Sequence, residues 1–98
     1  MATVFVTGMS GFLGRALAER YRADGHAVRG MDLRADPERD VVAGDVGEPG
    51  PWQEHAAGCD LVIHTAAVVS LRTERPHEVW RANVLGTLHA LEAAERGP

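Results

Sequence analysis

The stretch VFVTGMSGFLGRALAERYRADG, residues 4–25, decides the fold. It opens on a β-branched and aromatic run, breaks at Gly8, shows glycine again at Gly11 and Gly14, and continues with helical spacing. Glycine inside a helix costs roughly 1 kcal/mol relative to alanine, so this spacing needs a physical reason. Two are available: a tight turn between strand and helix, or a cradle whose backbone N–H groups approach a phosphate while the helix N-terminus supplies a favourable dipole.

Outward from that turn, Thr3 to Thr7 reads as a buried strand, and a helix begins at Ser10 or Gly11 with Leu13, Ala16, Leu17 and Tyr21 on one face. Gly25 stops it. Ala27 to Met31 forms a second strand closing on Asp32, and residues 33–40, LRADPERD, are a loop. VVAGDV, residues 41–46, gives a short third strand ending at the Gly44 and Asp45 turn, and a short helix starts near Pro51. DLVIHTAAVV, residues 60–69, is a central parallel strand with its exit loop. Beyond Pro76, a helix from His77 to Arg96 carries Val79, Ala82, Asn83, Gly86, Ala90 and Ala93 on one narrow side. This alternation predicts an α/β fold, a doubly wound parallel sheet with right-handed crossovers.

At 98 residues the chain is at most one domain and smaller than a complete nucleotide-binding enzyme. Its 45 % apolar and 24 % charged residues are those of an ordinary globular protein, and no apolar run approaches the roughly 20 residues that span a bilayer. The N-terminus lacks the basic region and cleavage site of a signal peptide, so a cytoplasmic location is expected, without membrane partners. A net charge of −4 with scattered arginines argues against a nucleic-acid surface. The single Cys59 allows no internal disulfide, and the five histidines show no metal-ligand spacing. All ten basic residues are arginine, so no lysine is available to any mechanism.

In the strand-to-helix setting the glycines divide the work. Gly8 makes the sharp turn, Gly11 permits close approach of phosphate, and Gly14 lets the helix pack on the sheet. Asp32, 18 residues beyond Gly14 at the end of the second strand, stands where a carboxylate accepts hydrogen bonds from ribose hydroxyls and repels a 2′-phosphate. That favours NAD over NADP. Arg34, two residues on, is a cation that could receive a 2′-phosphate, although a solvated surface charge is its ordinary reading. His64 reads as a hydrogen-bonded core residue, and Trp52, Trp80 and Cys59 as packing.

TGMSGFLG (7–14), Asp32, GDV (44–46), HTAA (64–67) and NVLGT (83–87) together resemble the extended short-chain dehydrogenase/reductase superfamily, the NAD-dependent epimerase/dehydratases, and VIHTAAVVS leans toward its 3β-hydroxysteroid dehydrogenase branch. The resemblance covers essentially the whole chain. It implies a Rossmann-like sheet of about four strands in the order 3-2-1-4, incomplete at the last strand, whose open edge invites self-association. It also implies a dinucleotide, NAD, held by Gly8, Ser10, Gly11, Phe12, Leu13 and Gly14 on the diphosphate side and by Asp32 at the ribose. Asp45 would then bond the adenine amino group with Val46 beside the ring, Ala66 and Ala67 would line the cofactor, and Asn83 would help hold the active-site region.

The family does its chemistry with Y-x-x-x-K. Here the only tyrosine, Tyr21, is followed at the matching position by Gly25. The chain is therefore expected to be the N-terminal part of an oxidoreductase or epimerase, with catalytic and small-molecule substrate sites elsewhere and no hydride transfer from these residues alone. Two other readings stay open: a sensor module that holds a dinucleotide and turns nothing over, and a truncated piece without function of its own.

Overall fold

In the computed structural model, which describes residues 1–66 and 76–95, four parallel strands form one sheet. They are β1 (Thr3–Thr7), β2 (Ala27–Asp32), β3 (Val41–Ala43) and β4 (Leu61–His64), side by side in the order β3-β2-β1-β4. Helix α1 (Phe12–Ala23) joins β1 to β2, and a single 3-10 turn, Pro37–Arg39, precedes β3. Helix α2 (Pro51–His55) precedes β4. A last helical run is built of α3 (Pro76–Trp80), a π segment (Arg81–Leu85) and α4 (Gly86–Glu95). The strand order is the one the family resemblance implies.

Side chains alternate across the sheet, as the period of a strand requires. Phe5, Met31, Val46, Trp52, Cys59 and Ala93 form one core, between the sheet and helices α2 and α4. Val4, Val6, Met9, Ala18, Val28 and Val41 form the other, under α1, with Tyr21 packed against it. Helix α2 is fastened by its own polar atoms: Trp52 Nε1 donates to the Glu48 carbonyl at 2.9 Å, and the buried Gln53 donates through Nε2 to the His89 carbonyl at 3.0 Å.

Three expectations need correction. The inner face of α1 is Gly14, Leu17, Ala18 and Tyr21, while Leu13 is 57 % exposed and Ala16 also faces outward. The helix meets the sheet so closely at Gly14 and Ala18 that larger side chains flank the contact instead of filling it. The last helix is not one continuous α-helix, because the π segment shifts its phase. Gly86, His89, Ala90 and Ala93 are buried, whereas Ala82 and Asn83 are half-buried, and Trp80, read as a packing residue, is 54 % exposed. The third strand also stops at Ala43, since Gly44 turns to donate its N–H to the Asp32 carbonyl at 2.9 Å.

Candidate functional site

The C-terminal ends of the strands open into a cleft of about 440 Å³. Ligand sites of open parallel sheets lie there, outside the carboxyl ends of the strands where the strand order reverses. The reversal falls between β1 and β4.

The turn after β1 forms the floor. Gly8 has φ +69°, left-handed backbone that favours glycine, and a Cβ there would also lie 2.8 Å from Thr65 Oγ1 and 2.9 Å from the Ala66 nitrogen. The Gly8 and Met9 N–H groups both donate to the Met31 carbonyl, at 2.9 and 3.2 Å, which ties the turn to β2. Gly11 N–H donates to the Gly8 carbonyl at 3.0 Å, and Gly11 serves as the N-cap of α1 with no side chain over the helix end. A Cβ on Gly11 would meet only the Gly8 oxygen, at 3.3 Å, so its other surroundings are the open cleft. Gly14 is different in kind. A Cβ there would sit 2.1 Å from the Gly8 oxygen, inside backbone.

Asp32 closes the β2 side. Its Oδ2 accepts the Ser10 N–H at 2.9 Å and its Oδ1 accepts the Leu33 N–H at 2.8 Å. Each oxygen keeps lone-pair capacity toward the cleft that Asp32 lines. Ser10 thus acts through its backbone on Asp32 and is not itself part of the cleft wall. Arg34 is exposed.

On the β4 side, Thr7 is buried and its hydroxyl is fully used. It accepts the Thr65 N–H at 3.1 Å and the Ala66 N–H at 3.3 Å, and so donates its own hydrogen to His64 Nδ1 at 2.6 Å. Burial pushes the His64 imidazole below its ordinary pKa, consistent with a neutral ring accepting at Nδ1. His64 is the hydrogen-bonded residue the sequence suggests.

The loop after β3 supplies the far wall. Asp45 Oδ1 accepts the Gly47 N–H at 2.8 Å and Oδ2 accepts Arg81 Nη1 at 3.0 Å, while Arg81 Nη2 reaches Glu48 Oε1 at 2.6 Å. Partial burial works to raise the Asp45 carboxyl, but the Gly47 N–H and then the Arg81 guanidinium outweigh it and hold the group below the usual range. A carboxylate so depressed contributes stability above its unfolded value of about 4 and loses it as pH falls through the folded value. The stability gap between this chain and Asp45→Asn, followed by urea unfolding, is therefore expected to hold from neutral pH to about 5 and to close below about 4. A gap that widened in acid would refute this assignment.

Of the residues singled out in the sequence, Gly8, Gly11, Phe12, Leu13, Gly14, Asp32, Asp45, Val46 and Ala66 meet in this one cleft. Ala67 lies outside the described residues. Sequence reasoning missed Leu33, Thr65 and above all Arg81, which also line it. Arg81 belongs to RANVLGT but is five residues from Gly86, out of phase with it on an ordinary helix, so its spacing gave no signal.

A model of the NAD dependent epimerase/dehydratase family matches residues 4–98. The chain belongs to this family. Within it and around it, the chain is 39 % identical over 97 residues to a 4-hydroxy-2-methyl-3-oxo-4-farnesyl-3,4-dihydroquinoline-1-oxide ketoreductase of Stigmatella aurantiaca, covering 92 % of this chain and 29 % of that protein. It is 32 % identical over 107 residues to a 3 beta-hydroxysteroid dehydrogenase/Delta 5→4-isomerase of Mycobacterium tuberculosis, covering 98 % and 29 %. Among solved structures, a short-chain dehydrogenase/reductase superfamily protein of Agrobacterium tumefaciens with bound NAD superposes with a TM-score of 0.84 at 31 % identity, covering 97 % of this chain and 30 % of that one. The chain thus spans about three-tenths of the length of these relatives. No helix among the described residues is long and apolar enough to cross a membrane.

Proposed function

We propose that this chain is the first part of a dinucleotide-binding domain and that its cleft holds NAD for an oxidoreductase or epimerase of the epimerase/dehydratase family. One observation carries the reading. A glycine turn and an uncapped helix N-terminus face, across a single cleft, a carboxylate at the end of β2 and a polar loop after β3. Backbone N–H groups at Phe12 and Leu13, in the first turn of α1, suit a diphosphate, since the α1 N-terminus favours negative charge. Asp32, already oriented by two backbone N–H groups, suits ribose hydroxyls, and its charge opposes a 2′-phosphate. Val46 and Asp45 suit an adenine ring and its amino group. NAD, when bound, would supply the hydride acceptor.

Proton transfer by a tyrosine and lysine is not available from these 98 residues, which contain no lysine. Substrate, reaction type and membership of the 3β-hydroxysteroid dehydrogenase branch belong to the same proposal, the last supported by VIHTAAVVS and by the mycobacterial relative. A cytoplasmic setting belongs to the same proposal.

Titration calorimetry with NAD and NADP tests the site. NAD is expected to bind more tightly, and Asp32→Ser to weaken NAD by about 1–3 kcal/mol, the scale of hydrogen bonds to a charged group. Equal affinity for the two dinucleotides in the unsubstituted chain would sink the assignment of Asp32 and turn attention to Arg34. A further expectation concerns the sheet edge. Only one side of β4 is paired among the described residues, and Leu61 on that strand is exposed, so light scattering at high protein concentration is expected to show self-association. A clean monomer under those conditions would count against it.

A further inference from the structure

Positions 81 and 86 lie roughly 140° apart around an uninterrupted α-helix, where each residue turns the chain by about 100°. In this fold both meet the same loop. Arg81 bonds Asp45 and Glu48, while a Cβ on Gly86 would fall 2.7 Å from Val46 Cγ2. His89, buried three residues further on, bonds the Val46 carbonyl through Nδ1 at 2.7 Å. The π segment Arg81–Leu85 reconciles the phases, because its wider turn rotates everything before it relative to α4. The guanidinium lies over Gly47, where a Cβ would be 2.7 Å from Nη1 and 2.8 Å from Cζ. Any side chain at 47 would push Arg81 away.

We propose that Arg81 is a positioning residue for the adenine end of the cleft: the π segment swings its guanidinium onto Asp45 and Glu48 and fastens the loop 44–48 to the helix in the geometry that receives a nucleobase. The proposal rests on the dinucleotide reading of the cleft. Glu48 gives it a distinctive signature, because the Glu48 side chain is exposed and is not among the cleft walls. Its influence on a ligand must pass through Arg81. Arginine suits the task, since its planar fork holds separate Nη1 and Nη2 donors in a fixed geometry, one on each carboxylate.

The test uses the full chain, with Arg81→Met, Glu48→Gln, the double variant and Arg81→Lys, in two measurements. In hydrogen exchange without ligand, the Gly47 and Glu48 amides are expected to exchange about fivefold faster in Arg81→Met, the scale of two half-exposed ion pairs. Glu48→Gln should give part of that, the double variant no more than Arg81→Met alone, and Arg81→Lys an intermediate value. In calorimetry, affinity for NAD and for ADP-ribose should fall about fivefold in Arg81→Met, again on the scale of those pairs, with nicotinamide mononucleotide unaffected. Unchanged loop exchange in Arg81→Met and Glu48→Gln, with NAD binding normally to the unsubstituted chain, would overturn the clasp alone. Equal losses for ADP-ribose and nicotinamide mononucleotide would show a general structural effect and overturn the adenine role. No binding of NAD by the unsubstituted chain would instead overturn the reading of the cleft, and the adenine role with it.

Discussion

Gly14→Ala is expected to destabilise the fold by about 3 kcal/mol or more, the upper range for forcing an atom into a packed interior. The added Cβ would lie 2.1 Å from the Gly8 carbonyl oxygen, 2.8 Å from its carbon and 3.0 Å from Met9 Cα. All three are main-chain atoms, so no rotamer change relieves the clash. The Gly8 oxygen cannot retreat freely either, because it accepts the Gly11 N–H. The helix would have to lift from the sheet, uncovering Ala18 and the apolar layer of Val4, Val6 and Val28 beneath it. Urea unfolding monitored by circular dichroism measures the loss. A midpoint equal to that of the unsubstituted chain would show that α1 does not need its close seat.

Gly11→Val separates binding from folding. Its φ of −77° and ψ of 175° are open to valine, and a Cβ there meets only the Gly8 oxygen, at 3.3 Å. Helical circular dichroism and the unfolding midpoint are therefore expected to change little. The valine methyls would occupy the cleft at the helix N-terminus, where the diphosphate is proposed to lie. Losing two or more charge-assisted bonds to backbone N–H groups corresponds to a fall in NAD affinity beyond about a hundredfold. Normal NAD binding by this variant would make the glycine turn a structural device only. The pair of substitutions is informative because a Cβ at Gly14 is driven into the Gly8 and Met9 main chain, whereas one at Gly11 meets only the Gly8 oxygen and is otherwise open.

What could be read from residues alone follows from where the physics is local. Strands β1 and β2 announce themselves through β-branched runs ended by Gly8 and Asp32, and their parallel pairing follows once a helix separates them. The cleft residues near Gly8 and Asp32 were legible for the same reason. Exposure of Leu13 was not, since periodicity places it on the apolar side of α1 and only the depth of the Gly14 contact excludes it. Arg81 was hidden more deeply. Its partners Asp45 and Glu48 lie 36 and 33 residues away, and the π segment that brings it to them breaks the period on which helix reading depends.

The placement of β1 between β2 and β4 also bears on the order in which the protein can form as it is synthesised. Of these four strands β1 is made first, yet one of its two neighbours is β4, and the pair Thr3 and Asp60 that opens their ladder is separated by 57 residues. At ordinary translation speeds of about 5–20 residues per second, the first strand waits roughly 3–11 s for that neighbour. During the interval Phe5 lacks Val62 at its side, and Thr7 lacks His64. The nascent chain therefore carries its most buried strand half-paired for longer than many small domains need to fold.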